Sequence, residues 1–456
     1  MYKRFYQAGF TGYLSLLILS IIFYKERTVF ADIAYHLFEI LRTGRFAIQN
    51  HRFGAVATQI FPLIGRSLSL ELNTIAILYS IGFILYYSLC YFICGSIFKG
   101  YKFALAYLLI CFLFASHTFY WMQSELPQGI AFMMVFFVFL STQSLSAIKP
   151  VILALMFGGI VAIVFFHPLL VFPFIFVVLF FLLSKETIID RKLLTASLVF
   201  YILIFLLKKY VITTVYESGA LSGTDRIWEG EWFNTHANRR FISNCLTKYY
   251  WIPVSFVGIS LFYLAKRHWK KLALFVCFFG GYLFLINTVY SDATVRELYI
   301  ENLYLPLGIF LAFPIVFDLL PLLKKREKLA MGILLLVVFS GLVRIVATRH
   351  QYTERLKWER QFLSEHKNEK LIVDHHKVPS EMLLFTSGTP YEFWLLSTME
   401  QDTSASIVIS DNADGLSWAI DSKKAFVATW GLFPYEQLPL KYFRFFDTTN
   451  TYINIR

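Results

Sequence analysis

Charge is what this chain has least of. Only 16% of its 456 residues are Asp, Glu, Lys or Arg, against roughly 25% in a soluble domain. With 57% hydrophobic residues, that shortage excludes an ordinary soluble enzyme and indicates a polytopic membrane protein. Cysteine is also sparse: Cys90, Cys94, Cys111, Cys245 and Cys277 are all there are. Four lie in apolar segments, where a thiol behaves as a small hydrophobe. No disulfide framework is readable, and Cys90 and Cys94, one helical turn apart in an apolar run, make no metal site. The phosphate-cradling glycine loop, the GxSxG elbow and the HExxH pair are missing, as are fixed-period repeats and low-complexity tracts. No N-x-[ST] sequon occurs, which favours a bacterial chain. The apolar run after Lys3 and Arg4 lacks a small-residue cleavage site, so it is expected to be kept as a first helix.

The net charge of +12 is then a matter of membrane side and carries no nucleic-acid signal. Lys3, Arg4, Lys99, Lys102, Lys149, Lys185, Arg191, Lys192, Lys266, Arg267, Lys270, Lys271 and Lys324 to Lys328 mark inner loops. Apolar runs between them predict about eleven spans, with the N-terminus inside and the C-terminus outside. Residues 54–70, broken by Pro62 and Gly65, read as a second interfacial or re-entrant piece. The fold class expected is an α-helical polytopic membrane domain over residues 1–348. A small α/β unit over 349–456 then stands on the outer side. In that tail the pattern predicts helices over Tyr352–His366 and Ser380–Met399, and strands at LIVDHH, SIVIS, AFVATW, YFRFF and TYINI.

The stretch Ala31–Phe53, between the first two spans, organises the functional reading. At 100° per residue Asp32, His36, Glu39 and Thr43 share a stripe about 60° wide. Ile33, Leu37, Ile40 and Leu41 take the opposite side. A helix with one polar edge and one greasy face fits flat at a membrane–water boundary. Other ionisable groups fall at the outer ends of spans: Glu125, His167, Arg239, Arg240, Arg296, Glu297, Glu301 and Arg344. Charge at membrane depth is costly unless paired or hydrated. One layer of acid, imidazole and guanidinium groups suits a lipid-linked substrate whose phosphate lies among headgroups. Arginine holds phosphate with two prongs, and a carboxylate can take the proton of an acceptor hydroxyl. Asp374-His375-His376, the densest histidine cluster, reads as a turn feature; no metal site and no resident cofactor are expected, with a divalent-cation requirement left open.

The arrangement resembles the GT-C superfamily of membrane glycosyltransferases, which includes protein mannosyltransferases, oligosaccharyltransferases and aminoarabinose transferases. Members carry a catalytic acid soon after the first helix, interfacial helices after it, and often an outer soluble domain. Asp32, in VFADIAYH, holds the corresponding place. Many members have two adjacent acids; here Ile33 follows Asp32 and the next acid is Glu39. The resemblance covers the topology of the whole chain through a short motif. It implies transfer of a sugar from a polyprenyl-phosphate donor to a glycan, lipid or protein acceptor, with Asp32 as general base. By position, Glu125 matches a second-loop acid and Arg296 a phosphate holder. Its setting would be the inner membrane of a cell envelope, with the tail periplasmic. A polymerase or ligase using a diphospholipid-linked glycan would instead lean on Arg239 and Arg240. A transporter or flippase would show internal repeats and midplane charges.

Overall fold

A backbone crossing hydrocarbon must satisfy its own N–H and C=O groups, which leaves the helix as the local solution. The computed structural model describes residues 1–144, 149–185, 188–212, 214–217, 223–228, 230, 235–291, 297–379, 382–383, 385–445 and 450–455. Helix α1 (Tyr2–Ile22) is followed by a single turn, α2 (Tyr24–Thr28), and by α3 (Ala31–Thr43). Next come α4 (Val56–Ser67), α5 (Leu72–Phe92), α6 (Tyr101–Leu113), the short α7 (His117–Tyr120), α8 (Glu125–Ser141), α9 (Pro150–Phe166) and α10 (Val171–Leu182). The rest of the helical body is α11 (Arg191–Val211), α12 (His236–Thr247), α13 (Trp251–Ala265), α14 (Trp269–Val289), α15 (Glu297–Leu303), α16 (Leu305–Phe313) and α17 (Glu327–Glu365).

Among the described residues, five helical runs are long and apolar enough to cross a membrane: Tyr2–Ile22, Leu72–Ile97, Arg191–Val211, Trp269–Val289 and Tyr299–Glu365. Five shorter apolar helices, of 10–17 residues, lie among them. Basic groups of the N-terminus, Lys102 and Lys271 meet the segment 317–327 at one end of this bundle. There the N-terminal amine and Arg4 lie 3.6 and 3.5 Å from Glu327. Lys102 stands over the rings of Tyr2 and Phe317. The opposite end holds Glu26, which accepts from Thr353 at 3.1 Å, and the Lys25–Glu400 pair at 2.7 Å.

Helix α17 has 39 residues without a break, roughly 58 Å at 1.5 Å per residue. Its first half is apolar; from Arg349 onward charges recur at nearly every turn. One rigid rod therefore belongs to both units expected from the sequence, and no linker separates them near residue 348. The tail builds a parallel sheet, order β2-β1-β5, from β1 (Lys370–Asp374), β2 (Ser406–Ser410) and β5 (Ile453–Ile455). Register pairs Leu371 with Ile407 and with Ile453. Two more strands, β3 (Ala425–Ala428) and β4 (Gly431–Pro434), pair antiparallel. Helix α18 (Thr389–Gln401) supplies the crossover from β1 to β2.

Two expectations fail here. Phe446 lies outside the described residues, and the described part of the run YFRFF, residues 442–445, is not a strand: within it Phe445 makes one isolated bridge to Ser404. Its rings serve packing instead, Phe443 stacking on Trp394 at 4.9 Å and Phe445 on Tyr435 at 4.3 Å. The second tail helix begins at Thr389, after residues 385–388 that are not helical, with Pro390 in its first turn, where a missing N–H costs nothing; Ser380, its expected start, lies outside the described residues.

Candidate active site

Helix α3 carries the expected catalytic edge, and both of its ends are fixed by local geometry. At its end Gly44 takes φ 69°, a left-handed conformation that glycine adopts without a Cβ penalty. At its start Ala31 takes φ 38°, a conformation unusual for a residue with a side chain. That residue is held from the tail: its N–H donates to the Glu392 carboxylate, and Glu392 also accepts from Arg355 of α17. Gly388 lies against it so closely that a Cβ there would sit 2.5 Å from the Ala31 Cα.

The apolar side of α3 does not lie in the membrane surface, contrary to the interfacial reading. Ile33, Ala34, Leu37, Phe38, Ile40 and Leu41 are all fully buried. The Phe38 ring packs on Tyr391, Trp394, Phe426, Phe433 and Phe443 at centroid distances of 5.0–5.4 Å. The tail unit covers α3, so the helix is a layer between two parts of the protein.

Asp32 and His36 keep the shared edge that the periodicity gave them. His36 is buried; its Nδ1 lies 3.0 Å from the Gln59 side-chain amide and its Nε2 3.4 Å from Gln49. Burial lowers the imidazole pKa, against the pull of Asp32 and Glu125, so the ring is predominantly neutral. The Asp32 carboxylate has no hydrogen-bond partner among the described residues. Burial pushes its pKa up, and neighbouring Glu125 pushes the same way, while His36 and Arg52 oppose. Glu125, at the start of α8, is buried and bound at 3.3 Å by Arg52. Gln123 donates to its other oxygen at 3.4 Å, and Tyr79 holds Gln123 at 2.9 Å.

Arg52 joins this acid pair to a cavity of about 170 Å³. Its Nε lies 3.8 Å from Glu217, and Lys208 lies 3.3 Å from the same carboxylate. His167 also lines the space, on the loop where Pro168 interrupts helical hydrogen bonding. Its Nδ1 accepts from the Leu169 amide at 3.2 Å. Burial, with Arg52 and Lys208 adding to it, holds the imidazole pKa well below its ordinary value. Lys209, Tyr216 and Tyr299 complete the polar lining; Phe205, Leu285, Ile286 and Val289, from the ends of α11 and α14, form an apolar wall. Arg52, Lys208 and Lys209 outnumber Glu217 among the charged lining residues, and the Arg52 Nε makes no hydrogen bond. A cationic rim on an apolar wall suits an anionic headgroup with a hydrocarbon tail. Arg52 stands between Glu125 and Glu217, so those carboxylates share a fixed cation.

Several expected site residues lie elsewhere. Glu39 is half-buried and pairs with Arg42 at 2.7 Å. Glu301 is buried and clamps the turn into α7, accepting from the Ser116 and Thr118 amides at 3.0 and 2.7 Å and from Tyr249 at 2.7 Å. Arg344 spends its guanidinium on the carbonyls of Phe112, Leu113, Ala115 and Lys248. It thereby caps the end of α6 and is committed there, not to a lipid phosphate. Arg239 and Arg240 are exposed on α12 and do not line the cavity. Arg296 and the side chain of Glu297 lie outside the described residues.

No family model matches the chain, and neither does any curated protein or solved structure with which it was compared. The site therefore has to be read from its own chemistry. Sequence reasoning passed over Arg52, Lys208, Glu217 and Tyr299. Arg52 lies near the end of the stretch that held Asp32, but Arg42 and Arg45 precede it there and nothing in the sequence sets it apart from them. Lys208 was legible as a cation at the end of an apolar run. Nothing local marks Glu217 as its partner.

Proposed function

We propose that the chain is a membrane glycosyltransferase of the GT-C kind, moving a sugar from a polyprenyl-phosphate donor to an acceptor hydroxyl at the outer leaflet. The observation that carries this reading is the continuity from Asp32 through Glu125 and Arg52 to a cationic cavity with an apolar wall. The donor phosphate would lie by Arg52 and Lys208, and its polyprenyl chain along α11 and α14. The acceptor oxygen attacks the anomeric carbon as the carbon–oxygen bond to phosphate breaks. The bonding pair leaves with polyprenyl phosphate, and the hydroxyl proton goes to Asp32. Neutral His36 borders Asp32 without placing a second cation beside the base.

The reading includes eleven spans, N-terminus inside, in a bacterial inner membrane, with the tail unit periplasmic. The meeting of the N-terminus, Lys102 and Lys271 with the segment 317–327 at one end of the bundle supports that orientation. The acceptor, whether glycan, lipid or protein, would enter between α3 and the cavity rim. The polymerase or ligase alternative is weakened by the exposed position of Arg239 and Arg240. The transporter alternative gains nothing from charges that gather at the ends of spans.

The test is transfer by purified protein in lipid vesicles from radiolabelled polyprenyl-phosphate sugars. Asp32→Asn keeps size and most hydrogen bonding but cannot take the proton. It is expected to leave donor binding intact and to slow turnover at least about a hundredfold. Near-normal turnover in Asp32→Asn would remove the base and the mechanism with it.

A further inference from the structure

The tail sheet has its own site, independent of the membrane cavity. In the order β2-β1-β5 the chain leaves β1 for β2 on one side and returns to β5 on the other. Open parallel sheets place ligands beyond the carboxyl ends of strands at such a reversal. Asp374 is the last residue of β1, and His375 and His376 follow it in a single turn. Asp411 comes directly after β2.

Three donors meet there, and a fourth stands beside one of them. One ligand atom from each of Asp374, His375 and His376 lies within 4.8 Å of the others. The two imidazole centroids are 3.7 Å apart. The His375 Nδ1 lies 3.6 Å from Asp374 and 3.8 Å from Asp411. That nitrogen is out of solvent and makes no hydrogen bond, which a buried polar atom normally does. One Asp374 oxygen accepts from the His376 amide at 2.8 Å, fixing the carboxylate and leaving its second oxygen available. A turn alone accounts for that one bond. It does not account for an unbonded ring nitrogen facing two carboxylates.

We propose that Asp374, His375 and His376, with Asp411 as a further oxygen donor, bind a first-row divalent cation, zinc by the donor set. Mixed imidazole and carboxylate donors favour zinc over magnesium or calcium, which take oxygen alone. Donors around tetrahedral zinc stand about 3.4 Å apart. The three clustered donors need to draw in by under about 1.5 Å, and Asp411, 71% exposed, can turn toward them by side-chain rotation. The ion would tie the end of β1 to the loop after β2.

The experiment uses the full chain in detergent, stripped with chelator and then dialysed against micromolar zinc. Bound metal is counted by elemental mass spectrometry. One zinc per chain is expected, unaffected by millimolar magnesium or calcium, and cobalt in its place should give visible d–d absorption. His375→Ala and His376→Ala should each weaken zinc binding at least about tenfold. Asp411→Asn, at an exposed position, should weaken it with the melting curve of the metal-free protein unchanged. His350→Ala, an exposed histidine elsewhere (83%), should bind as wild type. Less than a tenth of an equivalent in wild type, or binding unchanged in both His375→Ala and Asp411→Asn, overturns the site.

Discussion

Asp32 and Glu39 share a helix edge, and only Asp32 is proposed as the base. Glu39 is neutralised by Arg42, one turn away, whereas Asp32 is raised by burial and by Glu125. A base works only when deprotonated. Activity should therefore rise with pH through an apparent pKa above the ordinary Asp value of about 3.9. Glu125→Gln removes the like charge, so the acid limb of kcat/KM should move to lower pH. Arg52→Gln removes an opposing cation and should move it higher while raising KM. Profiles that superimpose across wild type and both variants would detach the limb from Asp32. Arginine roles separate in the same way. Arg344→Ala strands four carbonyls, at about 1–3 kcal/mol for each buried group left unsatisfied, so it should lower the melting temperature sharply. Arg52→Ala should instead weaken donor affinity with a smaller change in melting. Direct lipid-binding and melting measurements on the two variants decide between these roles.

Helix α3 was readable as a helix because its apolar positions recur at helical spacing and Gly44 supplies a stop. What covers its apolar face was not readable, because an amphipathic pattern is the same whether the partner is lipid or protein. Phe38 settles it: five aromatic rings of the tail surround that side chain. The same ambiguity misassigned YFRFF, where alternating aromatic residues pack rings without pairing a strand. Gly388 packs directly against the start of α3. Gly388→Ala should push the start of α3 and cost about 1–3 kcal/mol by overpacking. Because Asp32 is the next residue after Ala31, kcat should fall more than donor affinity. An alanine variant with wild-type melting and turnover would mean that α3 is not positioned from the tail.

For the whole molecule, the orientation is open to chemical labelling. With the native cysteines replaced by serine, a cysteine at exposed Lys423 should react with an impermeant maleimide in intact spheroplasts. One at exposed Lys185 should react only after lysis. The reverse pattern would put Asp32 on the cytoplasmic side. Membrane class, the apolar runs that became α1, α5, α11 and α14, and the common edge of Asp32 and His36 were all determined by the sequence alone. Hydropathy and helical period are properties of neighbouring residues, and they survive whatever the rest of the chain does. The partnership of Arg52 with Glu125, 73 positions away, was decided only by the tertiary structure. So were the seating of Lys208 against Glu217, the diversion of Arg344 to the end of α6, and the tail's grip on Ala31. These depend on which helix ends meet, and packing settles that across many helices at once; the spacing of residues along the chain carries no record of it.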